Sequence, residues 1–218
     1  MSVLENLTRC ALLHRGGEAQ IYKVCAGSKD YCLKWYADGC RFDETTVDTL
    51  SRSRHPNVYR ILEYGERGGR PYLVYDFIDG VASGEMAPMP LAVALGLMRQ
   101  VVSALAFLRR NGISHGDLNP ANVVLDLTGT AVLIDCGIVG PGALAFAAPE
   151  RFQGKPACEK SDLFSLGLLL YRWIAGENLV VAKNYEEFAQ KMAQIDQVDV
   201  TSLLFAKLAE GDGRANVA

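Results

Sequence analysis

Apolar and polar residues alternate through the first third of the chain. "AQIYKVCAG" and "DYCLKWYA" follow a period of two and flank the turn residues "AGSKD", which predicts a hairpin. "VYRILEYG" and "RPYLVYDFI" flank "ERGGR" and predict a second hairpin. Between the two, a polar stretch from about Arg41 to Arg54, ended by "HPN", is weakly helical. From Pro90 to Arg110 the period lengthens. Leu91, Leu95, Met98, Val102, Leu105 and Leu108 recur at helical spacing, and Asn111-Gly112 supplies the cap. Short strands are expected around Val123–Leu125 and Val132–Ile134, then helices near 161–175, 184–194 and 200–210. Strands first and helices later predict an α+β fold of two lobes, 1–78 and 79–218. "DFIDGVASGEMAPMP", rich in Gly, Ala and Pro, would connect them.

Composition narrows the classes of partner. A net charge of -3 with 22% charged residues argues against nucleic acid or an anionic membrane as the main partner. The six cysteines form no C-x-x-C pair and only three histidines are present, so a zinc site is not expected. Scattered thiols fit a reducing, cytoplasmic setting. "MSVLENLTRCALLHRGG" lacks a basic start followed by an apolar core, so no signal peptide is expected. The run "LFSLGLLLYRWIAG" is too short to span a bilayer and reads as a buried helix.

Chemistry concentrates in "GISHGDLNPANVVLDLTGTAVLIDCGIVG", Gly112 to Gly140. Its apolar runs call for burial, which delivers the His, Asp and Asn between them to fixed places. "HGDLNPANVVLD" followed by "LIDCG" resembles the catalytic loop and metal-binding turn of the protein kinase superfamily, H-R-D-x-x-x-x-N followed by D-F-G. The resemblance implies that Asp117 orients an attacking hydroxyl, while Asn122 and Asp135 hold Mg²⁺, with Mn²⁺ as an alternative. Lys34 in "YCLKWY" is similar to the family's strand lysine that holds the α- and β-phosphates of ATP. "GALAFAAPE", "SDLFSLGLLLY" and "LLFAKLAEGDGR" resemble three later family motifs, in order. They imply structural roles for Glu150, Asp162 and Arg214, with an ion pair between Glu150 and Arg214.

Other positions follow from the same alignment. "LLHRGGEAQIYKV" keeps one glycine of the phosphate-covering loop, Gly16, with Gly17 beside it. Ile21, Cys32 and Val124 would enclose adenine, the backbone of Asp76 and Ile78 would bind its edge, and Tyr75 would be the gatekeeper. Counting back from "HPN" puts Leu50 at an apolar spine position. Thr46 then falls in the slot of the helix glutamate that pairs with the lysine, and Glu44, two residues earlier, is the glutamate the helix offers.

The departures from the pattern are coherent. Gly116 replaces the arginine that grips a phosphorylated activation segment, and "IVGPGALAFAA" contains no Ser, Thr or Tyr. Activity without loop phosphorylation is therefore expected. Asn119 and Ala143 replace a lysine and a threonine that contact the catalytic aspartate in Ser/Thr kinases. The resemblance thus implies a reduced, bacterial Hanks-type Ser/Thr protein kinase acting with ATP on a protein substrate. Such reduced kinases resemble some effectors that bacteria deliver into host cells. H-G-D-L-N-P-x-N is also similar to aminoglycoside and choline phosphotransferases, and Cys136 for phenylalanine keeps a pseudokinase binding module open. The short C-terminal helical part would leave apolar surface for a partner or a dimer contact.

Overall fold

Both hairpins form, and glycine explains the tightness of their turns. The computed structural model describes residues 2–137 and 142–195, and divides into two units, Met1–Gly80 and Val81–Ala218. The helix expected near 200–210, and Arg214 with it, lie outside the described residues.

The first unit is a five-stranded antiparallel sheet in the order β1-β2-β3-β5-β4. Its strands are β1 (Leu7–Arg15), β2 (Ala19–Ala26), β3 (Lys29–Tyr36), β4 (Ile61–Arg67) and β5 (Arg70–Asp76). Gly68 and Gly69 close the β4–β5 hairpin at φ 62° and 76°, the left-handed pair that a two-residue turn of this twist demands. Helix α1 (Glu44–Arg52) starts where the Asp43 carboxylate accepts the backbone N–H of Thr45 and Thr46, and it buries Val47 and Leu50. Strand β1 is an addition to the alternation-based reading. It is an edge strand exposed from Thr8 to Arg15, so neither of its faces is marked by burial.

Side-chain parity sorts the sheet into two faces. Val24, Leu33 and Val74 share one face with Leu4 in a buried cluster, ringed by Tyr22, Tyr31, Trp35 and Tyr72. The cross-strand partners Ile21, Lys34 and Leu73, with Cys32 opposite Tyr75, therefore occupy the other face. Three predicted nucleotide-site residues thus meet on one surface.

In the second unit, α2 (Leu91–Arg110) packs against α4 (Glu159–Ala175) and strand β8. A small sheet of β6 (Gly80–Ala82), β7 (Val123–Asp126) and β8 (Ala131–Leu133) runs in that order. A single helical turn, α3 (Pro149–Phe152), and α5 (Tyr185–Ile195) complete the described elements. Phe152 stacks on Tyr185 with ring centroids 4.3 Å apart and so ties these two helices together.

Helix α2 spans the predicted residues but turns a different face inward. Its buried stripe is Ala94, Leu97, Val101, Ala104 and Leu108, whereas Leu91, Leu95 and Val102 are exposed. The helix is apolar nearly all round, so the period identifies the helix and not its inner side. Alanines at Ala94 and Ala104, both fully buried, let the neighbouring elements approach closely. By length and composition α2 is also apolar enough to cross a membrane, with a third of its most apolar window buried in this fold.

Candidate active site

The segment His115–Asn122 is held by its own polar side chains. His115, fully buried, accepts the Asp117 N–H at Nδ1 (3.3 Å). Gly116 sits at φ 81°, a left-handed conformation that glycine adopts without penalty. This bend sends the N–H groups of His115 and Gly116 to the two carboxylate oxygens of Asp162, at 2.8 and 2.9 Å. Asp162, in the first turn of α4, is the buried post on which the loop hangs. Farther along, the Asn119 carboxamide oxygen accepts the Ala121 N–H (2.9 Å) and its Nδ2 donates to the Asp117 carbonyl (3.1 Å).

Both carboxylate oxygens of Asp117 are fixed. Oδ1 accepts the Ala143 backbone N–H at 2.7 Å, and Oδ2 accepts Asn122 Nδ2 at 3.0 Å. Positions 119 and 143 therefore still hold the aspartate, although the lysine and threonine are gone. A backbone N–H does at 143 what a side-chain hydroxyl would do. Gly142 makes this possible, and sequence reasoning missed it. At φ 80° it brings Ala143 in so close that a Cβ on Gly142 would lie 2.8 Å from Asp117 Oδ1. A glycine beside a proline in a loop carries no distinctive signal of such a contact.

Asn122 and Asp135 supply the hard oxygen donors a divalent cation needs. Asn122 spends its Nδ2 on Asp117, at the carbonyl (2.8 Å) and at Oδ2 (3.0 Å), which leaves its Oδ1 as the oxygen that could hold a metal. The Ile134 N–H donates to the Asn122 carbonyl (3.0 Å), and Asp135 adopts φ 56°, the sole positive φ among the described non-glycine residues. The Gly137 N–H returns to the His115 carbonyl (2.9 Å), which closes the Asp135 turn onto the catalytic loop. No group of three or more His, Cys, Asp or Glu gathers for a metal among the described residues. Two protein side chains with phosphate oxygens completing the shell fit a magnesium-nucleotide site. Cys136 is buried where the family carries phenylalanine. Burial, and then the neighbouring Asp135 charge, push its thiol well up, so it stays protonated as a small filler.

On the first unit, Lys34 is only 8% exposed, with Nζ 5.3 Å from the Tyr36 ring centroid. Glu44 is exposed in the first turn of α1, where an acid steadies the helix N-terminus. The sequence left open whether Glu44 pairs with Lys34, and its exposed place in the first turn of α1 gives that pairing no support. Thr46, in the glutamate slot, donates its hydroxyl to Asp43 at 2.6 Å. Gly16 and Gly17 lie in the turn between β1 and β2, closed by Gly16 N–H to the Ala19 carbonyl (2.9 Å). Asp76 ends β5 with its carboxylate 2.5 Å from Lys29 Nζ, and Ile78 follows, partly exposed. In the second unit Val124 pairs with Val132 in the small sheet, and Glu150 opens α3.

Electrostatics of the loop give a pH dependence. Burial holds the His115 pKa below the usual histidine range, against the pull of Asp162, Asp117 and Asp135. Burial raises that of Asp162, opposed by its hydrogen bonds from Gly116 and His115. Folded His115 binds a proton less readily than unfolded His115, so stability present above about pH 6.5 is lost as pH falls through that value toward the folded pKa. The raised pKa of Asp162 acts in the opposite sense, easing a penalty as that group protonates. The expected result is a urea midpoint that falls between pH 7.5 and 5.5 in the wild type and stays flatter in His115→Asn. Equal slopes in the two proteins would assign the effect elsewhere.

The chain belongs to the protein kinase domain family, whose model matches residues 11–210. It is 34% identical over 195 residues to the DNA damage-responsive serine/threonine-protein kinase RqkA of Deinococcus radiodurans, covering 76% of this chain and 29% of that protein. Serine/threonine-protein kinase PrkC of Bacillus subtilis is 30% identical over 147 residues, covering 60% of this chain and 23% of its own length. The chain thus spans under a third of these relatives. The structure of Rad53 1-466 in complex with AMP-PNP superposes with a TM-score of 0.77 at 19% identity, over 94% of this chain and 61% of that one. That likeness is one of fold: an antiparallel sheet unit followed by a helical unit.

Proposed function

We propose that this chain is the catalytic domain of an ATP-dependent protein kinase that transfers the γ-phosphate to Ser or Thr hydroxyls. The observation that carries the reading is the carboxylate of Asp117, clamped at one oxygen by Ala143 N–H and at the other by Asn122. A base held this way is oriented before substrate arrives, which is where phosphoryl-transfer enzymes gain most. The substrate hydroxyl oxygen attacks the γ-phosphorus, the bond from that phosphorus to the β–γ bridging oxygen breaks, and ADP leaves. The hydroxyl proton passes to Asp117. The family resemblance assigns Lys34 to the α- and β-phosphates, Gly16 and Gly17 to the phosphate-covering loop, and Ile21, Cys32, Val124 and the backbone of Asp76 and Ile78 to adenine. Asn122 Oδ1 and Asp135 would hold Mg²⁺, which would supply neutralisation of charge on the phosphates.

The same clamp supports activity without loop phosphorylation. Gly116 leaves no arginine to receive a phosphate, and Ala143 reaches Asp117 through its backbone, with no modification needed to draw it in. Protein shown by intact mass to carry no phosphate should transfer label from ATP to a protein mixture from the first minutes, without a lag. A lag that tracks phosphate incorporation into the chain would refute this part of the reading.

A further inference from the structure

Helix α2 carries two apolar stripes, and the fold buries one of them. Ala94, Leu97, Val101, Ala104 and Leu108 face inward. Leu91, Leu95, Met98, Val102 and Leu105 form the other, roughly 100° round the helix from the first. Leu91, Leu95 and Val102 are 38%, 48% and 43% exposed, and Met98 and Leu105 are half-buried. Their steps of four, three, four and three residues are the d-a-d-a-d spacing of a coiled-coil seam, here about 21 Å long. At its C-terminal end the seam meets Leu163 of α4, 51% exposed, which lines one hollow with Val102 and Leu105. A stripe of this spacing fits the side chains of a second helix, and nothing in the chemistry derived above uses it.

The charges beside the seam choose between helices. Arg99 and Arg110 stand about a quarter-turn from it, along its outer margin, and Lys160 lies one turn before Leu163 on α4. All three are exposed and make no ion pair among the described residues. The other charges nearby are spent: Arg109 on Glu159 at 2.9 Å, and Asp126, in the turn that Gln100 reaches through Gly129, on the N–H groups of Thr128 and Thr130. Leu91–Arg110 contains no Asp or Glu. An acidic flank therefore meets uncancelled cations, and a basic one meets repulsion. A second copy would bring the same cations: two seams packed antiparallel about Met98 set Arg99 against its counterpart with no carboxylate on either helix. A lipid surface calls for a broad apolar face, whereas this stripe is narrow, with the core on one side and arginines on the other. We propose that the seam docks an amphipathic helix of a partner protein, apolar at heptad spacing and acidic along one flank.

Two synthetic helices of about three heptads, cross-linked to hold their conformation, test this by calorimetric titration of the whole chain. Both carry Leu at the a and d positions; one has Glu and the other Lys at e and g. The Glu helix should bind at least about tenfold more tightly than the Lys helix, by a margin that narrows in high salt. Leu95→Gln and Val102→Asn, at exposed positions where the fold tolerates a polar side chain, should each remove most of that binding. Arg99→Glu combined with Arg110→Glu leaves the seam intact and should reverse the preference, so that the Lys helix binds better. Light scattering of the chain alone and flotation with vesicles of phosphatidylserine and phosphatidylcholine address the other two occupants; the expected results are a monomer and no flotation. None of these readouts depends on phosphoryl transfer. Binding of neither helix, equal binding of the two, binding that survives both seam variants, or a preference unmoved by the charge reversal would each overturn the proposal. So would a dimer that Leu95→Gln dissociates, or flotation that Leu95→Gln abolishes.

Discussion

Gly142→Ala should lower phosphoryl transfer by at least about a hundredfold while the protein stays folded. The added Cβ would stand 2.8 Å from Asp117 Oδ1 and 3.1 Å from the Gly116 carbonyl, closer than a real Cβ can comfortably lie to either atom. Neither neighbour can step aside, because Asp117 is held by Asn122 and Gly116 by Asp162. Position 142 also has φ 80°, which costs a side-chain-bearing residue about 1 to 2 kcal/mol. The segment must therefore withdraw, taking the Ala143 N–H off the carboxylate. A shift of roughly 1 Å at a reacting group is enough for a loss of this size. Gly129→Ala separates strain from collision, since Gly129 has φ 82° and a Cβ added there would meet nothing within 4 Å. It should lose some stability and keep its activity. Steady-state kinetics on both variants, with the KM for ATP unchanged in Gly142→Ala, checks the argument; wild-type turnover in Gly142→Ala would refute it.

Asp162→Ala should be the most destabilising single change in the site, at about 3 to 5 kcal/mol. The carboxylate accepts two backbone N–H groups at 2.8 and 2.9 Å, and both are left without an acceptor once it is removed. Asp162 is 5% exposed, so water does not readily replace it. Asp162→Asn keeps one acceptor oxygen but turns an NH₂ toward a backbone N–H, so it should lose somewhat less. In that variant the His115 pKa should fall further, because the Asp162 charge favours the protonated ring. Urea unfolding at pH 7.5 and NMR titration of His115 measure the two effects. A loss below about 1 kcal/mol for Asp162→Ala would mean that the loop has another support.

What the sequence made legible, and what it hid, divides along physical lines. The period-two runs located four strands and the longer period located α2, because burial of alternate or every third to fourth side chain leaves its mark on composition. Strand β1 has no buried face to leave that mark. The inner side of α2 was hidden for the opposite reason, since apolar residues surround the helix. In the site, Asp117, Asn122, Asp135 and Asp162 were readable because their chemistry lies in side chains at fixed spacings. The contacts that set Asp117 in place come from backbone N–H groups and the conformation of Gly142, which have no sequence letter of their own. Thr46 and Glu44 show the limit of counting: register identified the slot, but only the structure shows Thr46 turned to Asp43 and Glu44 left in solvent.

The central claim is that Asp117, oriented by Ala143 and Asn122, serves a phosphate-transfer reaction that also needs Asp135. Radiolabelled ATP with Mg²⁺ and a protein mixture, offered to wild type, Asp117→Ala and Asp135→Asn, tests it most directly. The account predicts label on protein Ser or Thr with the wild type and background with both variants. Label persisting at wild-type rates in Asp117→Ala, or a folded wild type that binds Mg·ATP and transfers nothing, would contradict it.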